Sequence, residues 1–260
     1  MLRYSTAIVA TLVLGACGGG GSSPEVSYQA VSYKAVRIFS DGSGVAVGTS
    51  DDGSKGMVLA PEIGAIVAID SSSSDNDDLD IELEDFPIIG STANAIIRQG
   101  AISSDGITQN LLIYETGNGE DGFAFVTMPE YGIEYYLSAG ETLSNVPSGS
   151  FTYRGDQMIK SYQTSSGINQ VGTAEILIDF DNKTFAYTGQ TQTTSLTGSG
   201  ILEPAQGRFT DVSATLNVGA QQHNATIHGL LHGNGASSAT GVIHSNESTP
   251  LYGGAFVTKK

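Results

Sequence analysis

The chain has 260 residues, 27 acidic against 11 basic, for a formal net charge of −16; 34 residues are glycine and none is tryptophan. So acidic a body is repelled by nucleic-acid phosphates and anionic lipid headgroups, and its one adjacent pair of cations is Lys259-Lys260, which excludes a basic-patch nucleic-acid binder. A single cysteine excludes an intramolecular disulfide and a cysteine-based metal cluster.

The chain opens with a short basic start, Met1–Arg3, then an apolar stretch from Ala7 to Leu14 and two small residues, Gly15-Ala16. This is the order of a secretory signal, and its apolar stretch is shorter than the roughly 20 residues a transmembrane helix needs. Cys17 stands between that stretch and the run Gly18–Gly21. A buried thiol needs a core around it, and a Gly-Gly-Gly-Gly-Ser-Ser run provides none. Leu14-Gly15-Ala16-Cys17 resembles the lipobox of bacterial lipoproteins, with an ordinary secretory signal as the alternative. The resemblance implies removal of a signal peptide 1–16, a diacylglycerol thioether on Cys17 and fatty acylation (palmitate) of its new amino group. Loss of Arg3 would leave 10 basic against 27 acidic residues, a net of −17. Two or more acyl chains hold a protein stably at a bilayer, so membrane lipid is a partner through acylated Cys17. Residues 17–25 then form a Gly/Ser tether with a reach of roughly 15 Å. Gly18 replaces the aspartate that commonly retains lipoproteins at the inner membrane. This favours a lipid-anchored, surface-exposed location at the outer membrane.

Beyond the tether the chain reads as all-β: short alternating runs of Val, Ile, Thr, Tyr and Phe separated by Gly, Asp, Asn and Ser turns. Residues 26–147 are expected to form a β-rich handle domain. Within it, 37–69 can be laid on 101–137 through Ser-Asp-Gly, a Gly/Asp-rich turn, an apolar strand, and Pro-Glu-x-Gly opening the next strand. The offset is 64 residues at Asp41/Asp105 and 68 at Pro61/Pro129. Two copies are too few for a solenoid. A duplicated meander burying one face of each copy would make a sandwich; chance likeness of two glycine-rich meanders is the alternative. Between the copies, 70–85 carries eight acidic residues and no basic one. An EF-hand register from Asp75 fits Asp77 but fails at Leu79 and Asp80, leaving a solvated linker as the simpler reading and calcium binding as the other. Gly117-Asn118-Gly119-Glu120-Asp121-Gly122 matches G-x-G-x-x-G, but the strand-like Phe123–Met128 follows it and its acids repel phosphate, so it reads as a hairpin turn.

Residues 148–260 divide into eight strand-like runs near 150–160, 171–180, 184–192, 194–203, 207–218, 223–233, 238–246 and 251–259. In 174–187, Ala174, Ile176, Ile178 and Phe180 alternate with Glu175, Leu177 and Asp179; a turn follows, and Phe185 and Tyr187 resume the pattern. Eight antiparallel strands of this length close into a barrel whose side chains fill the interior. "GSFTYRG", "ILIDFDNKTFAYTG", "ATIHGLLHGNGASSATGVIHS" and the closing "YGGAFVTKK" resemble the C-terminal β-barrel of transferrin-binding protein B and factor H-binding protein. That family carries Gly-x-aromatic-x-Gly, then an alanine three residues on and a glycine five further, places held here by Gly229, Gly233, Ala236 and Gly241. Leu231 stands where an aromatic is usual, and Ser237-Ser238 replaces a common acidic pair. The resemblance implies a lipid-anchored surface protein that captures an extracellular protein or a haem or iron carrier.

Signals of other functions are weak. His228 and His232 have helix-like i, i+4 spacing, but Gly229 and Gly233 argue for a strand, in which four residues span roughly 13 Å and cannot share one ion. Convergence of His223, His228, His232 and His244 from neighbouring strands stays open as a metal or haem alternative. There is no Gly-x-Ser-x-Gly elbow. A carboxylate-pair envelope hydrolase and a purely structural or adhesive surface protein are the other readings; no specific acid pair stands out. The expectation is therefore a binding protein, not an enzyme, with no catalytic residues, no resident metal and no cofactor.

The anchor is directly testable. Metabolic labelling with an alkyne fatty acid is expected to mark the chain, and Cys17→Ser to abolish the label; label persisting on the serine variant would defeat the lipobox reading.

Overall fold

The structure is a computed structural model that describes residues 55–60, 65–69 and 86–260, the last with short gaps at 105–106, 118–120, 130–132, 142, 164–168 and 248–250. The signal, Cys17, the tether, the start of the first repeat copy and the acidic stretch 70–85 lie outside the described residues. Side chains of 55–60 and 65–69 are likewise outside them.

Fifteen strands are described, with one short 3-10 turn at Pro204–Gln206. The first seven are β1 (Lys55–Ala60), β2 (Ala65–Ile69), β3 (Ile88–Ser91), β4 (Ile96–Ser104), β5 (Ile107–Glu115), β6 (Gly122–Met128) and β7 (Ile133–Gly140). They form a single sheet in the order β2-β1-β7-β6-β5-β4-β3. The repeat is visible in its hairpins. Ala60 pairs with Ala65 across β1–β2, and Met128 with Ile133 across β6–β7, both at the 68-residue offset of the two Pro-Glu-x-Gly motifs. The two hairpins do not face one another as a sandwich. β1 pairs edge to edge with β7, from Lys55/Gly140 to Leu59/Tyr136, so both copies share a sheet. Main-chain hydrogen bonding at β7 thus joins the copies where face burial was expected. The G-x-G-x-x-G run lies between β5 and β6, with Thr116 N donating to Asp121 O at 2.8 Å.

The other eight strands are β8 (Ser150–Ser161), β9 (Asn169–Asp179), β10 (Thr184–Gln190), β11 (Thr194–Ile201), β12 (Arg208–Val218), β13 (Gln221–His232), β14 (Ser238–Ser245) and β15 (Tyr252–Lys259). All pair antiparallel, and β15 returns to β8 to close the barrel. Alternation decides what lies inside. Ala174, Ile176, Ile178, Phe185 and Tyr187 are buried in the barrel core, while Thr173, Glu175, Leu177, Thr184, Ala186 and Thr188 are exposed.

The interior is built around rings: Phe185 lies 4.7 Å from Phe209, Phe209 6.3 Å from Phe256, and Phe256 5.1 Å from Tyr187. Gly229 and Gly241 are register partners facing these rings. A Cβ on Gly229 would meet the Phe209 ring at 2.2 Å, and one on Gly241 would meet the His228 carbonyl oxygen at 2.2 Å and the Phe256 ring at 2.6 Å. The absent side chains are the space the aromatics occupy.

Overpacking of a dense core costs about 1–3 kcal/mol. Gly241→Ala is therefore expected to lower the thermal midpoint by several degrees. Gly117→Ala, whose Cβ would meet nothing within 4 Å, is expected to leave the melt unchanged.

Candidate functional site

The sheet does not stand apart from the barrel. On its barrel-facing side Ile97, Leu112, Tyr114, Phe123, Phe125 and Tyr136 pack with Met158, Leu230, Val242, Ala255 and Val257, outward-facing residues of β8, β13, β14 and β15. Tyr114 stacks on Phe123 at 4.9 Å, and Phe125 leans on Tyr136 at 5.1 Å. The barrel wall is thus apolar on both faces along this arc, which explains the near-continuous burial of β13, β14 and β15.

Three polar contacts pin the edges of this apolar junction. Asp156 of β8 accepts hydrogen bonds from Thr92 Oγ1 and, at 3.2 Å, from Asn94 Nδ2, both in the β3–β4 turn. Lys160 of β8 pairs with Glu134 of β7 while its ammonium stands 5.1 Å from the Phe125 ring centroid and 5.5 Å from that of Tyr162. Asp121, between β5 and β6, accepts from Ser238 Oγ at 2.6 Å and from the Glu141 amide at 2.9 Å. Beside it His232 Nδ1 donates to the Glu141 carbonyl at 3.0 Å, and Thr240 Oγ1 donates to Nε2 at 2.8 Å. A carbonyl can only accept, so the proton sits on Nδ1. Gly140 makes this approach possible: its Cβ would lie 2.3 Å from Asp121 Oδ1 and 2.5 Å from the His232 ring.

The barrel ends differ in chemistry. At one, the strap after β7 crosses the mouth. Gly233 N donates to Glu141 O at 3.2 Å and Ser144 N to Gly233 O at 3.3 Å, while Leu143 packs against the core and over Gly207. Gly233 and Ala236 lie in the β13–β14 turn with positive φ, +74° and +52°. Ala236 is buried, and its carbonyl accepts from Tyr153 Oη at 2.7 Å; burial pushes that phenol well above its usual pKa. The four barrel positions singled out in the sequence thus serve geometry, two making room for rings and two making a tight turn.

The opposite end is lined by polar side chains. Gln170 Oε1 accepts from Thr191 Oγ1 and Thr193 Oγ1, each at 2.7 Å. His223 Nδ1 donates to Glu247 Oε1 at 3.0 Å, its ring packs edge-on to Tyr252 at 4.8 Å, and Tyr252 Oη accepts from Gln163 Nε2 at 3.1 Å. Burial opposes ionisation of Glu247, but hydrogen bonds from Ser245 and His223 outweigh it and hold the carboxyl below its usual range.

Two of the four histidines come together. His228 Nε2 and His244 Nε2 are 3.3 Å apart on the outer wall, whereas His232 belongs to the sheet junction and His223 to the polar mouth. Burial, and next to it His244, push the His228 pKa down to about 3, so this imidazole is neutral at physiological pH. Among the described residues no group of three or more His, Cys, Asp and Glu is placed to hold a metal. Sequence reasoning missed the junction residues Asp121, Gly140, Asp156 and Ser238, because Asp121 and Ser238 lie 117 positions apart and neither has a local signature.

No family model and no curated protein sequence matches the chain. Solved structures do. Transferrin binding protein B of isotype 1 from serogroup B Neisseria meningitidis is 14% identical, with a TM-score of 0.56 over 83% of this chain and 46% of that one. An intact transferrin binding protein B comprising N and C lobes is 16% identical, with a TM-score of 0.57 over 85% and 50%. A double mutant of the Haemophilus parasuis protein is 13% identical, with a TM-score of 0.58 over 85% and 49%. The chain spans about half the length of these structures. At such identities the likeness is one of fold, and at 83–85% of the chain it takes in the sheet as well as the barrel.

The junction generates a stability test. Asp121→Ala strands the Ser238 hydroxyl and the Glu141 amide, and a buried donor left without an acceptor costs about 1–3 kcal/mol. The expected outcome is lowered stability with faster amide exchange at β5–β7 than at β9–β11; uniform acceleration in sheet and barrel would show that Asp121 does not act at the junction.

Proposed function

We propose that this chain is a lipid-anchored protein of the outer-membrane surface that works by binding, with residues 26–147 as handle and 148–260 as barrel, and that its ligand is an extracellular protein. The observation that carries the reading is the sheet-plus-barrel fold shared with transferrin binding protein B over more than four-fifths of the chain, combined with the lipobox around Cys17. Each observation raises the weight of the other, since a protein held at the surface by acyl chains has no need of a spanning element. The described residues contain no helix long and apolar enough to cross a membrane. The names of the structural neighbours, transferrin binding proteins, point to an iron carrier as the ligand class, and a haem carrier is the other reading of the family resemblance. The buried carboxylates Asp121 and Asp156 each accept hydrogen bonds that tie sheet to barrel, which supports binding over carboxylate-pair hydrolysis.

The acidic character sets the expected kinetics. Eight acids lie within 70–85, and a basic partner would be steered by them. Rim charges mainly set association rate and are screened beyond about 8 Å at physiological salt.

The test has two stages. Protease treatment of intact cells is expected to remove the chain, and survival of the protein on intact but not on permeabilised cells would overturn surface exposure. Immobilised protein is then exposed to host serum, the captured protein is identified by mass spectrometry, and its binding kinetics are measured. Association is expected to slow several-fold as salt rises, and replacement of Asp75, Asp77, Asp78 and Asp80 by asparagine to reproduce that slowing at low salt. An unchanged rate in that variant would make 70–85 a solvated linker only.

A further inference from the structure

We infer that His228 and His244 form a two-histidine site for a borderline divalent transition metal, Zn²⁺ above all, on the outer wall of the barrel. Both residues face outward. In the β13–β14 ladder His228 pairs with Val242 and His244 with Thr226, so the two histidines are diagonal cross-strand neighbours. At that spacing long side chains reach one another, and here the ring nitrogens meet with Nε2 atoms 3.3 Å apart and ring planes only 9° from parallel.

That separation suits a shared cation. Two imidazole nitrogens bound to one tetrahedral zinc at about 2.0–2.1 Å each are about 3.3–3.4 Å apart, and their ring centroids about 5.3 Å. The observed values are 3.3 Å and 5.4 Å. The same two Nε2 atoms are within reach of one N–H···N hydrogen bond at 3.3 Å, and a zinc ion takes the place of the shared proton.

The surrounding contacts set the ligating form. His244 Nδ1 lies 3.0 Å from the Ser245 carbonyl. A carbonyl only accepts, so Nδ1 carries the proton and Nε2 presents its lone pair. Metal-binding histidines commonly donate their other ring N–H to a carbonyl or carboxylate in this way, which fixes the tautomer and raises the basicity of the ligating nitrogen. His228 is buried and held by the ladder, whereas His244 is only half-buried and gives access from solvent. On the far side of His244 its register partner on β15 is Gly253, which leaves that flank without a side chain. Imidazole ligands suit Zn²⁺, Cu²⁺ and Ni²⁺ and disfavour Ca²⁺ and Mg²⁺, which take oxygen. Two histidines fill two of four tetrahedral positions and leave two for water. The site does not depend on which protein the chain captures.

The experiment is a Zn²⁺ titration of the full chain at neutral pH against a competing chromogenic chelator, with excess Ca²⁺ and Mg²⁺ present to occupy carboxylates. The expected result is saturable binding of one Zn²⁺ per chain, weakened at least ten-fold by His244→Gln and by His228→Gln and unchanged by His223→Gln. Imidazole ¹⁵N shifts of His228 and His244 are expected to move together on zinc addition. If His228→Gln proves unfolded by circular dichroism, the half-buried His244→Gln decides the matter alone. The inference is overturned if the parent chain binds no zinc under these conditions, if His244→Gln binds as tightly as the parent, or if the moving resonance is that of His223.

Discussion

Return of β15 onto β8, in register from Tyr252/Ser161 to Lys259/Arg154, is the constraint on which the rest of the structure depends. Until that ladder closes, eight strands have two free edges and no defined inside. Once it closes, each residue of the barrel is assigned to core or outer wall by parity alone. The rings of Phe185, Phe209, Phe256 and Tyr187 then converge. Gly229 and Gly241 become obligatory because a side chain at either would occupy the same volume.

Closure also produces the platform for the sheet. Met158, Leu230, Val242, Ala255 and Val257 are outward residues that a free-standing barrel would expose to water. Removing apolar area from water contributes roughly 25 cal/mol per Å², so this arc favours docking of the aromatic face of β4–β7. The polar pins do different work. Asp121 with Ser238, Asp156 with Thr92 and Asn94, and Lys160 with Glu134 select one placement of sheet on barrel, since any slide leaves a buried carboxylate without its donors. Sheet and barrel therefore present their loops at fixed relative positions.

The two mouths of the barrel follow from the same topology. The chain enters β8 from the sheet, so the connecting strap lies at that end and delivers Leu143 to it. Among the described residues the other end carries hairpin connections and keeps Gln163, Gln170, Thr191, His223, Glu247 and Tyr252. On the wall between them, β13 and β14 bring the His228 and His244 imidazoles into contact. The antiparallel ladder holds this pair of ring nitrogens on a rigid frame.

Much of this was legible in the residues alone. Alternation in 174–187 determined a hairpin with one buried face, because side-chain direction in a strand has period two and needs no tertiary information. The eight runs of 148–260 followed from the same periodicity and from turn residues, and the paired Pro-Glu-x-Gly motifs marked two equivalent hairpins. Tertiary structure alone decided how those hairpins combine, since β1 is free by its own pattern either to face a second sheet or to extend the first, and its pairing with β7 is chosen by backbone hydrogen bonding across a long stretch of chain. It alone decided the junction as well. Asp121 and Ser238, or His228 and His244, become neighbours only when register is set along every intervening strand, and a linear pattern carries no record of that sum.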